Sequence, residues 1–269
     1  MKLEKAVRLE AAAAATAASP EKLRAVLARF DRVYLGAEFC ANLLPSPETA
    51  RAQAAFFLSR GKKVTFLTPM SGPAGLPKLK AVLKALSRLS RPGRQKGTLE
   101  LTVNDFGALE LAAQLKLPLK LNLGRLLYDN LFMFSAGRLL LTSRAALDFF
   151  LKAGVSRFEL SSPGRRFRAD LGRAGGKFAI SLYYPYLNLT STRACLPGLA
   201  APAAGKEPDP DSCGRECGAC ALELSHPRVR ERLIVKGNTT FLYFPEKFYA
   251  KESELAKLGV DRLVYCPRP

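Results

Sequence analysis

The 269-residue chain holds a single histidine, His226, with Pro227 after it. That scarcity sets aside whole classes of chemistry. A metal held by imidazoles needs several histidines, and Ser-His-Asp or Cys-His catalysis would rest on His226 alone. Long apolar runs are missing as well. None reaches the roughly 20 residues of a membrane span, so no transmembrane segment is expected. No glycine-rich dinucleotide fingerprint follows the first strand-like run, which argues against an open nucleotide-binding sheet. Acidic residues are in deficit, with 23 Asp and Glu against 42 Lys and Arg, a net charge of +19. A field of that sign attracts RNA or an acidic partner. Basic residues cluster at Lys78, Lys80, Lys84, Arg88, Arg91, Arg94 and Lys96, and again at Arg165, Arg166, Arg168 and Arg173. Lys80, Lys84 and Arg88 share one helical face, a pattern that a solvated surface explains as readily as a polyanion does. Aromatics are not interleaved with these runs, so a stacking platform for single strands is not evident.

What the chain does contain reads as one globular α/β domain. It is 48% hydrophobic and long enough for a sizeable core. The alanine stretch Ala11 to Ala18 follows acidic residues and is too weakly apolar for a signal peptide. Residues 1–30 are therefore expected to form an N-terminal helical segment, and the protein to be cytoplasmic. From Arg32 onward, strand-like runs alternate with helical patterns. Ser46 with Pro47 signals one helix start, Asn104 or Asp105 another and Ser143 a third. Phe178 to Leu189 reads as one long strand, and Gly237-Asn238 as the turn of a hairpin. Repeated β–α units predict parallel strands with crossover helices, hence a (β/α) barrel-like domain over 31–269, complete or distorted. A Cys-rich insertion is expected at 190–225.

The cysteines are the least generic feature. Cys40 stands alone just past the first strand of that pattern. Cys195 follows the tyrosine-rich run, and Cys213, Cys217 and Cys220 lie at spacings of four and three. Cys266 ends a strand-like run and is expected to be a small buried residue. In a cytoplasmic chain such cysteines are more often ligands or buried thiols than disulfides. The residues leave three readings open. An iron–sulfur cluster would use Cys40, Cys195 and two of the other three. A structural zinc would use Cys195, Cys213, Cys217 and Cys220. The third reading has no metal, only buried or redox-active thiols.

Several stretches carry a family resemblance. They are Val33-Tyr-Leu-Gly with Cys40, Leu101-Thr-Val-Asn-Asp-Phe-Gly-Ala-Leu, Phe149 to Ser161, and Thr192-Arg-Ala-Cys195 followed by a loop and Cys213-x-x-x-Cys217. Together they resemble the collagenase-like family once catalogued as peptidase family U thirty-two, and within it the UbiV-like branch. The resemblance implies a barrel-like fold and a [4Fe–4S] cluster on Cys40, Cys195, Cys213 and Cys217, with Cys220 as alternative fourth ligand. It also implies a heterodimer with a UbiU-like sister protein and oxygen-independent hydroxylation in ubiquinone biosynthesis. Other branches of the family hydroxylate bases of tRNA or rRNA. Peptidase activity is not expected, since no nucleophile–base pair is apparent.

Arg193 and Tyr184, close to Cys195 in sequence, are the candidate contacts for a substrate or an anionic oxygen donor. Tyr183 and Tyr186 read as packing residues of an alternating strand. Glu159 and Asp105 read as a surface charge or a helix cap.

Overall fold

The computed structural model describes residues 3–10, 20–89, 98–127, 131–163, 168–169, 178–193, 195, 213–218, 220–244 and 252–269. In chain order the first half comprises β1 (Glu4–Arg8), α1 (Pro20–Arg29), β2 (Arg32–Gly36), α2 (Pro47–Ser59), β3 (Lys63–Leu67), α3 (Leu76–Ser87), β4 (Leu99–Val103), α4 (Phe106–Gln114) and β5 (Lys120–Leu123). Then follow β6 (Phe132–Ser135), β7 (Arg138–Leu141), α5 (Arg144–Lys152), β8 (Val155–Ser161), β9 (Arg168–Ala169), β10 (Ala179–Tyr184) and β11 (Tyr186–Ser191). The chain ends with β12 (Leu222–His226), β13 (Val229–Lys236), β14 (Thr239–Tyr243), α6 (Glu252–Lys257) and β15 (Val260–Tyr265).

Eight strands close into a barrel in the order β1-β15-β10-β8-β5-β4-β3-β2, and every neighbouring pair is parallel. The barrel-like α/β fold read from the sequence is thus present, and the barrel is closed. Local chemistry starts its helices. Ser46 accepts from the Thr49 N–H at the start of α2, where Pro47 occupies the first turn. Asp105, not Asn104, caps α4 by accepting from the Ala108 N–H, and Ser143 caps α5 through Ala146. Helix α3 turns Leu79, Val82, Leu83 and Leu86 inward and leaves Lys80, Lys84 and Arg88 exposed.

Strand residues split by period two. Val33, Leu35, Val64, Phe66, Leu101, Val103, Phe158 and Leu160 face outward into the main core under the helices. Their neighbours point down the barrel axis.

Three local expectations differ from the structure. Glu4–Arg8 lies in the stretch expected to be helical, yet it forms β1, because Ala6 and Val7 are buried where this strand closes the ring between β2 and β15. The long strand expected from Phe178 to Leu189 is two strands divided at Pro185, which has no N–H to donate to a ladder. Residues 132–141, not read as strands, form the hairpin β6–β7, which β9 extends. Ala11 to Ala18, the proline-rich loop 197–211, Arg91, Arg94, Lys96, Arg165, Arg166 and Arg173 lie outside the described residues. Among the described residues no helix is long and apolar enough to cross a membrane.

After Pro185 the chain leaves the barrel and builds a second, antiparallel sheet in the order β11-β14-β13-β12. This sheet sits at the C-terminal mouth of the barrel. Ser161, at the end of β8, donates to Asn188 Oδ1 at 2.6 Å, and Arg125 after β5 reaches the Tyr186 carbonyl at 3.4 Å. In (β/α) barrels the loops at this end carry the functional groups.

Candidate functional site at the barrel mouth

The barrel axis is filled by ionisable groups. Arg262 on β15 donates to both carboxylate oxygens of Glu100 on β4, at 2.9 and 3.2 Å, and to the Tyr34 hydroxyl at 2.8 Å. Arg32 bridges Glu100 at 3.0 Å and Glu4 at 3.3 Å. Burial pushes the Glu4 and Glu100 carboxyls up, but Arg262 and Arg32 outweigh it and hold both at about 2. Nearer the mouth, Glu159 accepts from Tyr34 at 2.8 Å and from Tyr183 at 2.6 Å. Burial raises the Glu159 pKa and overrides the two hydroxyl donors. Glu159, read as a surface charge or cap, is instead fully enclosed, because it occupies an inward position of β8. Tyr183 is a packing residue with a polar tip.

Above this column lies a buried ion pair. Arg125 grips both oxygens of Glu38 at 2.7 Å and stacks over the rings of Tyr183 at 4.2 Å and Phe39 at 5.1 Å. Glu38 belongs to the loop that leads from β2 to Cys40. Gly36 opens that loop at φ +93°, and a Cβ there would meet the Leu67 carbonyl at 2.4 Å. Cys40 then precedes a single helical turn, Ala41–Leu43.

Four thiols from three regions of the chain line one cavity of about 130 Å³: Cys40, Cys195, Cys213 and Cys217. Cys195 follows β11. Cys217 lies in a helical turn, Glu216–Gly218, and is buried against Gly237 of the β13–β14 turn. The Cys213 sulfur accepts the Arg215 N–H at 3.3 Å. Phe39, Leu43 and Phe241 supply apolar walls, and Arg8 and Lys236 bring positive charge. The thiols feel one another. Cys217 is pushed up to about 11 by burial and then by Cys195, Cys40 and Cys213. Burial first, then Cys213 and Cys195, raises Cys40 against two backbone donors. Among the described residues no three Cys, His, Asp or Glu side chains form a group that could hold a metal ion. Lining one cavity is a looser condition than coordination spacing, and the four thiols meet the looser one.

Cys220 is exposed and outside this cavity, with its S–H directed at the Glu216 carbonyl. Cys266 is buried at the end of β15. Arg193 borders a second cavity of about 210 Å³ together with Cys40, Asn42, Ser71 and Gly72. Its guanidinium lies over Gly72, where a Cβ would approach it to 3.0 Å. Cys40, Phe39 and Asn238 border both cavities. Tyr184 borders neither; its ring packs on Tyr265 at 5.4 Å. Sequence reasoning missed Glu38, Arg125 and Asn238, as well as the axial charges. The alternation Arg32-Val-Tyr, Glu100-Leu-Thr and Arg157-Phe-Glu-Leu-Ser was the available signal. A barrel strand flanked by helices ordinarily reads apolar on both faces.

No protein-family model matches the chain. No curated protein matches it either. Among solved structures it is similar to a GH18 chitinase from Cycas revoluta in complex with (GlcNAc)3, at 15% identity and a TM-score of 0.40, covering 97% of this chain and 94% of that one. The same family's chitinase from Cycas revoluta in complex with allosamidin gives 16% and 0.39, with the same coverage. A glycoside hydrolase family 18 N-acetylglucosaminidase from Paenibacillus barengoltzii gives 16% and 0.25, covering 97% of this chain and 76% of that one.

Proposed function

We propose that the chain is an iron–sulfur protein that supports oxygen-independent hydroxylation, with Cys40, Cys195, Cys213 and Cys217 as the cluster ligands. The observation that carries this reading is the gathering of these four thiols around one cavity at the barrel mouth. The donor set suits the group. Thiolates hold soft metal centres, iron–sulfur clusters among them, and all four donors here are cysteines. The zinc reading draws less support, because Cys220 lies outside the cavity that Cys40 lines. When bound, a [4Fe–4S] cluster supplies one-electron transfer. The chain's own groups do the rest. Phe39, Leu43 and Phe241 give the cavity apolar walls, and Arg8 and Lys236, paired with Glu38 and Glu10, stand at its edge. Arg193 offers its guanidinium to an anionic donor or substrate in the neighbouring cavity.

The resemblance to the UbiV-like branch points to ubiquinone biosynthesis, with a UbiU-like sister protein as partner and a cytoplasmic setting. Hydroxylation of an RNA base is the second reading. It is favoured by the net charge of +19 and by the exposed face of Lys80, Lys84 and Arg88. A deletion strain grown without oxygen decides between them. Mass spectrometry of its quinones should show loss of a ring-hydroxylated product. Loss of a hydroxylated nucleoside instead would assign the RNA reading, and unchanged profiles of both would overturn the proposal.

A further inference from the structure

The turn between β13 and β14 does more than reverse the chain. A hairpin turn asks for positive φ, and Gly237 supplies it at +61°. The contacts of its neighbour Asn238 reach outside the hairpin. The Asn238 carboxamide donates to the Phe39 carbonyl at 2.8 Å and to the Thr192 carbonyl at 2.6 Å. Its backbone carbonyl accepts from the Thr192 N–H at 2.9 Å, and its Oδ1 accepts from the Thr239 hydroxyl at 3.3 Å. Phe39 immediately precedes Cys40, and Thr192 lies three residues before Cys195. On the other side of the same turn, a Cβ at Gly237 would stand 3.4 Å from the Cys217 Cβ. One two-residue turn therefore touches the segments that carry three of the four cavity thiols.

Resting on the reading of these thiols as one cluster site, we infer that Asn238 is a positioning residue that registers the Cys40 and Cys195 segments against the Cys217 turn. The residue type follows from the donor count. A primary amide carries two N–H donors, and both are spent on carbonyls of different segments. Aspartate has none and would set a carboxylate against two carbonyl oxygens. Serine has one. Glutamine moves the amide by a methylene. The two segments are far apart in sequence and follow strands of different sheets, β2 and β11, so no ladder fixes their relative position at this point.

The test is timed iodoacetamide labelling of each cysteine in the metal-free protein, read by peptide mass spectrometry, in wild type and Asn238→Asp. Cys40 and Cys195 should label at least about tenfold faster in the variant, while Cys266, buried at the end of a barrel strand, stays protected. Wild-type rates at Cys40 and Cys195 would overturn the inference. Rapid labelling of Cys266 would signal global unfolding. Asn238→Ser, which keeps one donor, then carries the test: a smaller acceleration at the same two thiols is expected, and none would overturn it. Iron uptake is scored separately. If wild type takes up no iron but the labelling contrast appears, the cluster reading fails and the role of Asn238 stands.

Discussion

The barrel axis and the barrel mouth both gather ionisable groups, and they accommodate them in different ways. Along the axis each ionisable group meets its own partners. Arg32 and Arg262 face Glu4 and Glu100, and Glu159 is closed between two tyrosine hydroxyls. At the mouth, groups of one kind crowd together. Burial, and then the neighbouring thiols, raise the proton affinity of Cys217 and Cys40, and Arg8 and Lys236 are already engaged with Glu38 and Glu10. The axis is a closed account of charge that stabilises only as a whole. Under the proposed function, a bound cluster would complete the mouth by taking up the four cysteines as thiolates. Glu38 and Arg125 mark the border, facing the axis through Tyr183 and the thiols through the Cys40 loop.

The largest effect expected from breaking this contrast lies at the axis. Arg262→Met leaves Glu4 and Glu100 short of a buried partner and should cost about 3–5 kcal/mol in chemical denaturation. A cost under about 1 kcal/mol would contradict the closed network. Next come the ligands. Cys40→Ser should lose most of the iron taken up anaerobically, whereas Cys220→Ala should keep it; the reverse pattern would move the site away from the cavity. Acid should then separate the carboxyls. Glu4 and Glu100 have folded pKa values of about 2 against an ordinary 4.5, so their contribution is present above 4.5 and fades as pH falls towards 2. Glu159 has the opposite sign: its pKa is raised, so its contribution is present at low pH and is lost as pH rises through the folded value. Glu159→Gln should consequently cost less stability at pH 7 than Glu100→Gln, measured by denaturant midpoint. The smallest effect expected is at the turn. Gly237→Ala strains a backbone at φ +61° and should lower stability by about 1 kcal/mol, with a larger loss counting against an open fit beside Cys217.

The outline of the fold was legible in the sequence because its signals are local. Ser46 with Pro47, Asp105 and Ser143 name helix starts through side-chain caps, and the outward halves of the strands are apolar. β1 was not legible: a five-residue strand with two buried apolar residues has too little periodicity to separate from a helix end. For the site, the cysteine spacing left the ligand set open and the resemblance implied Cys40, Cys195, Cys213 and Cys217; these four line one cavity. What holds that loop set in place was not legible. Glu38 pairs with Arg125 across 87 residues, and Asn238 reaches Phe39 across 199. Contacts at such separations leave no pattern in one sequence. Arg193 borders the second cavity, whereas Tyr184 packs its ring on Tyr265, since strand alternation turns it to the outer face of the barrel, opposite Tyr183.

Anaerobic purification followed by iron, sulfide and zinc analysis tests the central claim most directly. About four irons and four sulfides per chain, falling away in Cys40→Ser, are the predicted result. One zinc per chain with no iron, unchanged by Cys40→Ser, would contradict it.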